Sequence, residues 1–139
     1  MRKQSREIVF KLLFAKQYGQ TKQNDEDIDE LLGVMLDEMK LDIEDVDINY
    51  VRDTYNAVVA DFSHLYEVVN KKVNKYTTNR IYNADFIILI LAVYELEQNK
   101  LDSKIVVSEA VKLAKKYSTE NSIKFVNGVL GAILKEKND

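Results

Sequence analysis

The apolar positions of this chain recur at steps of three and four almost throughout, which is the spacing of one helical face. From Ser5 to Tyr18, Val9, Leu12, Leu13 and Ala15 make one face, and Phe10, Phe14 and Tyr18 form a second stripe. Ile28, Leu31, Leu32, Met35 and Met39 mark a second helix, with Asn24 as its expected cap and Glu26 and Asp27 in its first turn. After an acidic loop over 41–47, Ile48, Val51, Tyr55, Val58 and Phe62 mark a third helix. Ser63 is then the expected cap of a fourth that carries Leu65, Val69, Val73 and Tyr76. Residues 80–98 include the run Phe86 to Val93, apolar on every side, and such a segment belongs in the middle of a core. Asp102 or Ser103 caps a sixth helix through Tyr117, whose inward positions are Val106, Ala110, Leu113, Ala114 and Tyr117.

The stretch Ser118 to Leu130 is less ordinary. A polar hinge, Ser118 to Ser122, stops one helix and caps the next, which places Ile123, Val126, Leu130 and Ile133 on one face. Lys124 and Phe125 are expected in its first turn, where free N–H groups and the helix dipole favour phosphate. Gly128 and Gly131 fall inside this helix, although each costs roughly 1 kcal/mol against alanine there. Close approach of another element would offset that cost, and so would a ligand surface. The tail from Lys135 to Asp139 is expected to fray.

Composition narrows the class. The 139 residues hold four glycines, no proline and no cysteine. Scarcity of turn-formers favours an all-α fold of about seven helices, read as a single domain over 1–139. Disulfides and thiolate metal sites are excluded, and the eight-residue apolar run is far too short for a membrane span. The chain therefore reads as a cytoplasmic globular protein. Charge is segregated along it. Residues 1–22 carry six basic side chains against Glu7, net +5, whereas 25–53 carry twelve acids against Lys40 and Arg52, net −10. Residues 104–139 set seven lysines against four acids, net +3, so an acidic total is compatible with a nucleic-acid partner.

The catalytic inventory is thin. His64 is the only histidine and reads as a helix-end surface residue, and no phosphate-cradling glycine loop is present. The acidic block reads as a solvated face rather than a metal site, and no cofactor is expected. The cations carry more information. Arg2, Lys3 and Arg6 can neutralise phosphates, although a solubilising basic end would look the same. Lys112, Lys115, Lys116 and Lys124 flank the hinge. Phe125 can stack on an unpaired base or pack in the core, and Tyr117 is better suited to the core.

Several phrases occur together in one order. They are Ser5-Arg6-Glu7, Tyr94-Glu95-Leu96, the run Val107 to Tyr117, and Lys124-Phe125-Val126-Asn127-Gly128-Val129-Leu130. With these, the chain closely resembles the bacterial transcription antitermination factor family NusB over essentially its full length. The resemblance implies two small packed helix bundles and a non-catalytic role in binding boxA-type RNA. It further implies pairing with the small-subunit ribosomal protein NusE, and indirect action on the RNA polymerase elongation complex during rRNA transcription. On that basis Arg2, Lys3, Arg6, Lys124 and Phe125 are the expected RNA-binding residues, and Lys116 joins them from the basic cluster at the hinge. The protein partner is expected to dock on the central part of the chain, near Tyr76, Arg80 and Glu95. The two basic edges are expected to clamp single-stranded RNA together. Gln4 and Ser5 stand where further arginines are common in the family, which predicts weaker RNA binding without the partner. Ser108 replaces the usual asparagine. A homodimer is compatible with the sequence, and two other readings compete: an accessory module of an RNA-modifying enzyme, and a structural dimerisation module.

Overall fold

The computed structural model describes residues 2–19, 28–76 and 81–138, and every described regular element is helical. In order these are α1 (Arg2–Tyr18), α2 (Ile28–Met39), a 3-10 turn (Ile43–Asp45), α3 (Ile48–Ala60), α4 (Phe62–Tyr76), α5 (Asn83–Gln98), α6 (Ser103–Tyr117) and α7 (Glu120–Asn138). The chain divides into two compact units, Met1–Ala60 and Asp61–Asp139. All-helical architecture, with one small bundle in each unit, agrees with the sequence reading.

In the first unit α1 packs against α2 and α3. Its buried surface runs from Ser5 through Phe10 and on to Leu12 and Leu13, wider than a single stripe. Asp47 fixes the start of α3. Its Oδ1 accepts the Tyr50 N–H at 3.0 Å, and its own N–H donates to Ser5 Oγ at 2.9 Å, so a cap and a contact with α1 share one residue. The acidic stretch before it is not a plain loop, because Asp42 and Asp45 form a reciprocal cap around the 3-10 turn. The expected cap of α2 at Asn24 lies outside the described residues.

In the second unit α5 packs against α4, α6 and α7, and is buried from Asp85 through Val93. The continuous apolar run is indeed the centre of that core. Asn99 stops α5 in the left-handed conformation, φ 55°, which asparagine tolerates better than most side chains. Two boundaries differ from expectation. Phe62 opens α4 instead of closing α3, because the break falls at Asp61, whose carbonyl takes the Leu65 N–H at 3.1 Å. Phe62 then lies near Tyr66, ring centroids 6.3 Å apart. The tail does not fray at Lys135. α7 continues to Asn138, with Lys137 Nζ donating to the Leu96 carbonyl at 3.1 Å and Glu136 paired with Lys72.

Candidate nucleic-acid interface

The hinge is built around a residue that periodicity did not single out. Asp85, 2% exposed in the first turn of α5, accepts Ser118 Oγ–H on one carboxyl oxygen at 2.6 Å and Ser122 Oγ–H on the other at 2.7 Å. Thr119 and Ser122 cap each other: the Ser122 N–H donates to Thr119 Oγ1 at 3.2 Å, and the Thr119 N–H to Ser122 Oγ at 3.3 Å. A buried acid so thoroughly hydrogen-bonded locks the start of α7 to the core helix.

That cap starts α7 at Glu120, so Lys124 and Phe125 lie in its second turn rather than the first. The terminal N–H groups therefore do not account for any affinity at these two positions. Their setting is defined by the packing around them. The buried face of α7 is Ser122, Val126, Val129 and Leu130, with Ile123 and Ile133 only half-buried, and this rotates Phe125 to the rim of the core. Its ring meets that of Tyr76, from the last turn of α4, edge to face with centroids 5.8 Å apart. Tyr76 is 51% exposed, so the pair presents aromatic surface to solvent.

Gly128 now has a local reason. A methyl group there would press into the Tyr76 hydroxyl and sit 2.7 Å from Cζ, so the glycine makes room for the tyrosine ring against α7. Gly131 differs, because a side chain there would meet nothing within 4 Å. It lines an open groove of about 720 Å³ between α6 and α7, together with Val107, Val111, Leu134, Lys104, Lys115 and Lys124. Lys112 also lines the groove and pairs with Glu109 at 3.3 Å. Lys104, Lys115 and Lys124 have no acidic partner among the described residues. Lys116 is exposed, with Nζ 5.6 Å from the Tyr117 ring, and Tyr117 is half-buried.

The N-terminal cations belong to the first unit and are differently placed. Arg2 pairs with Asp47 at 3.3 Å and lies 3.9 Å over the Tyr50 ring. Lys3 is exposed, but Arg6 is only 5% exposed. Arg2 and Arg6, four residues apart, thus do not share one open side, because the helix is buried on more than one face there. Of the expected partner residues, Tyr76 belongs beside Phe125, Glu95 is buried in α5, and Arg80 lies outside the described residues. His64 is exposed at the start of α4 and hydrogen-bonds Glu97 at 2.8 Å.

The described residues form a helical module with a serine-capped hinge and a lysine–aromatic surface beside it. Comparison with known proteins makes the class specific. Residues 3–135 match the NusB family model. A transcription antitermination protein NusB from Clostridium botulinum (strain Alaska E43 / Type E3) is 36% identical over 136 residues, covering 97% of this chain and 98% of that protein. One from Clostridium novyi (strain NT) is 33% identical over 135 residues, covering 96% and 98%. The crystal structure of T. maritima NusB superposes with a TM-score of 0.77 at 34% identity, covering 98% of this chain and 92% of that one. A crystal structure of the antitermination factors NusB and NusE in complex with dsRNA gives 0.74 at 25% identity, covering 97% and 96%. This chain belongs to the NusB family.

Proposed function

We propose that the chain is a non-catalytic transcription antitermination factor of the bacterial cytoplasm. It binds boxA-type RNA together with a NusE-type ribosomal protein and thereby supports rRNA transcription. Family membership supports this reading, as does the resemblance to a relative crystallised with NusE and RNA. No described helix is long and apolar enough to cross a membrane.

The observation that carries the proposal is the surface at the start of α7. There an exposed Tyr76 and a half-buried Phe125 form an aromatic pair, with Lys124 adjacent in sequence and without an acidic partner among the described residues. Stacking on such a pair contributes about 1–3 kcal/mol per base, and lysines supply the salt-dependent phosphate term. Arg2 and Lys3 of the first unit add phosphate contacts, and Arg2 exchanges its partner Asp47 for phosphate. The protein partner enlarges the RNA surface and so turns two weak binders into one stronger assembly.

Fluorescence anisotropy with a labelled boxA-type single strand, with and without the NusE-type protein, tests the reading. Expected results are tighter binding in the ternary mixture and a logarithmic salt slope of about −0.7 per phosphate contact. Salt-independent binding, or a partner that leaves RNA affinity unchanged, would refute it. A duplex competitor of the same sequence measures the preference for unpaired bases.

A further inference from the structure

At the opposite end of α4 from Tyr76, two side chains three residues apart meet a third that is distant in sequence. Asp61 immediately precedes α4, and its main-chain carbonyl already takes part in the first helical hydrogen bond. His64 follows three residues later, on the same side of the helix. Glu97 reaches across from the last turn of α5, its carboxylate oxygens 2.8 and 3.1 Å from His64 Nε2. One ligand atom from each of the three residues lies within 4.8 Å of the other two. All three side chains are exposed, so small rotamer changes can tighten the cluster at little cost.

The donor chemistry is one imidazole nitrogen and two carboxylate oxygens. Zinc takes these groups at about 2.0–2.2 Å, which brings neighbouring ligand atoms to about 3–3.5 Å of one another. The charge is also suited to a cation. No lysine or arginine among the described residues pairs with Asp61 or Glu97, and Glu67 adds a third carboxylate to the field around His64. An imidazole between otherwise uncompensated carboxylates differs from a patch of surface acids, because it supplies the nitrogen that borderline divalent metals prefer over calcium or magnesium.

We propose that Asp61, His64 and Glu97 form a zinc site, with water completing the coordination, that clasps the start of α4 to the end of α5. The metal replaces the His64–Glu97 hydrogen bond by two coordinate bonds and adds a third from Asp61. The site uses none of the residues of the α7 surface, so RNA binding and metal binding can fail independently.

Calorimetric titration of the full chain with ZnCl2, after chelator treatment and in a non-coordinating buffer near neutral pH, tests the site. The expected result is one saturable site of micromolar affinity. His64→Gln and Glu97→Gln should each weaken it at least about tenfold, since even groups that only support a ligand cost that much. Zinc should raise the Tm of the wild type and leave that of His64→Gln unchanged. Cobalt, substituted for zinc, should give visible bands that the His64→Gln variant lacks. Equal zinc binding by wild type and His64→Gln, or no saturable binding by the wild type, would overturn the proposal. Far-UV circular dichroism confirms that the variants, all at exposed positions, remain folded.

Discussion

Two sets of cations that look alike in sequence are unlike in the folded protein. At the start of α1, Arg2 already has a carboxylate and an aromatic face, and Arg6 is inside the protein. At the start of α7, Lys124 has no acidic partner among the described residues and stands next to a solvent-facing aromatic pair. An arginine that must give up Asp47 before meeting phosphate gains only the difference between two interactions. A lysine that leaves only water gains more. Counting positive charges therefore overstates the N-terminal cluster and understates the surface of α7.

The comparison breaks most completely if the scaffold behind α7 is removed. Asp85→Ala leaves the Ser118 and Ser122 hydroxyls without their carboxyl acceptor in a part-buried hinge, and should cost roughly 2–3 kcal/mol in urea unfolding. If the hinge positions the RNA surface, the same variant loses RNA affinity even under conditions where it is folded. A loss of under about 0.5 kcal/mol would mean that Asp85 does not hold the hinge.

Phe125→Ala should reduce RNA affinity by roughly 1–3 kcal/mol, or about five- to 150-fold, if the ring stacks on a base. Lys124→Ala should weaken binding uniformly across RNA sequences and make the salt slope shallower by about 0.7. Arg2→Ala should change affinity less than Lys124→Ala does, and stability by under about 1 kcal/mol, because an exposed ion pair is worth little. Anisotropy titrations of the three variants at several salt concentrations decide the order. Arg2→Ala as the most damaging of them would reverse the comparison.

A smaller effect separates the two glycines of α7. Gly131→Ala adds a methyl group in open space and removes a helix-interior glycine, so it should raise stability by roughly 0.5–1 kcal/mol. Gly128→Ala gains the same propensity but must displace the Tyr76 ring, so it should be less favourable than Gly131→Ala. Chemical denaturation of both variants measures the difference. Equal gains would mean that Tyr76 swings aside at no cost.

How much of this was legible beforehand follows from where each interaction runs. The helices, the central place of the Phe86–Val93 run and the Asp102 cap, which accepts the Lys104 N–H at 2.9 Å, all depend on neighbours within a few residues. Those were readable. Asp85 bonds residues 33 and 37 positions away, and Tyr76 meets Phe125 and Gly128 from another helix. Periodicity gives the face of a residue, not the identity of its tertiary partner. Hence the sequence does not show that Tyr76 and Phe125 meet, or that Arg6 leaves the open basic edge for the interior. Only the hydroxyl-rich hinge Ser118–Ser122 signalled the Asp85 network, since so many small hydroxyls call for an acceptor.

The finest test uses the lone histidine as a local probe of the α4–α5 contact. His64 has its pKa raised above the ordinary 6.5, first by the hydrogen bond to Glu97 and then by the Glu97 charge, with smaller help from Asp61 and Glu67 against a desolvation effect of opposite sign. A group held above its unfolded value favours the folded state when protonated. Its contribution is therefore complete below the unfolded pKa, near 6.5, and is lost as pH rises through the higher folded value. Because the ring is exposed, the effect on global stability is small, and the titration itself is the useful readout. An NMR titration of the imidazole protons, in the presence of a chelator, should give a midpoint above 6.5 that falls toward 6.5 in Glu97→Gln. An unchanged midpoint in that variant would place the perturbation elsewhere and remove Glu97 as the partner that joins the end of α5 to the start of α4.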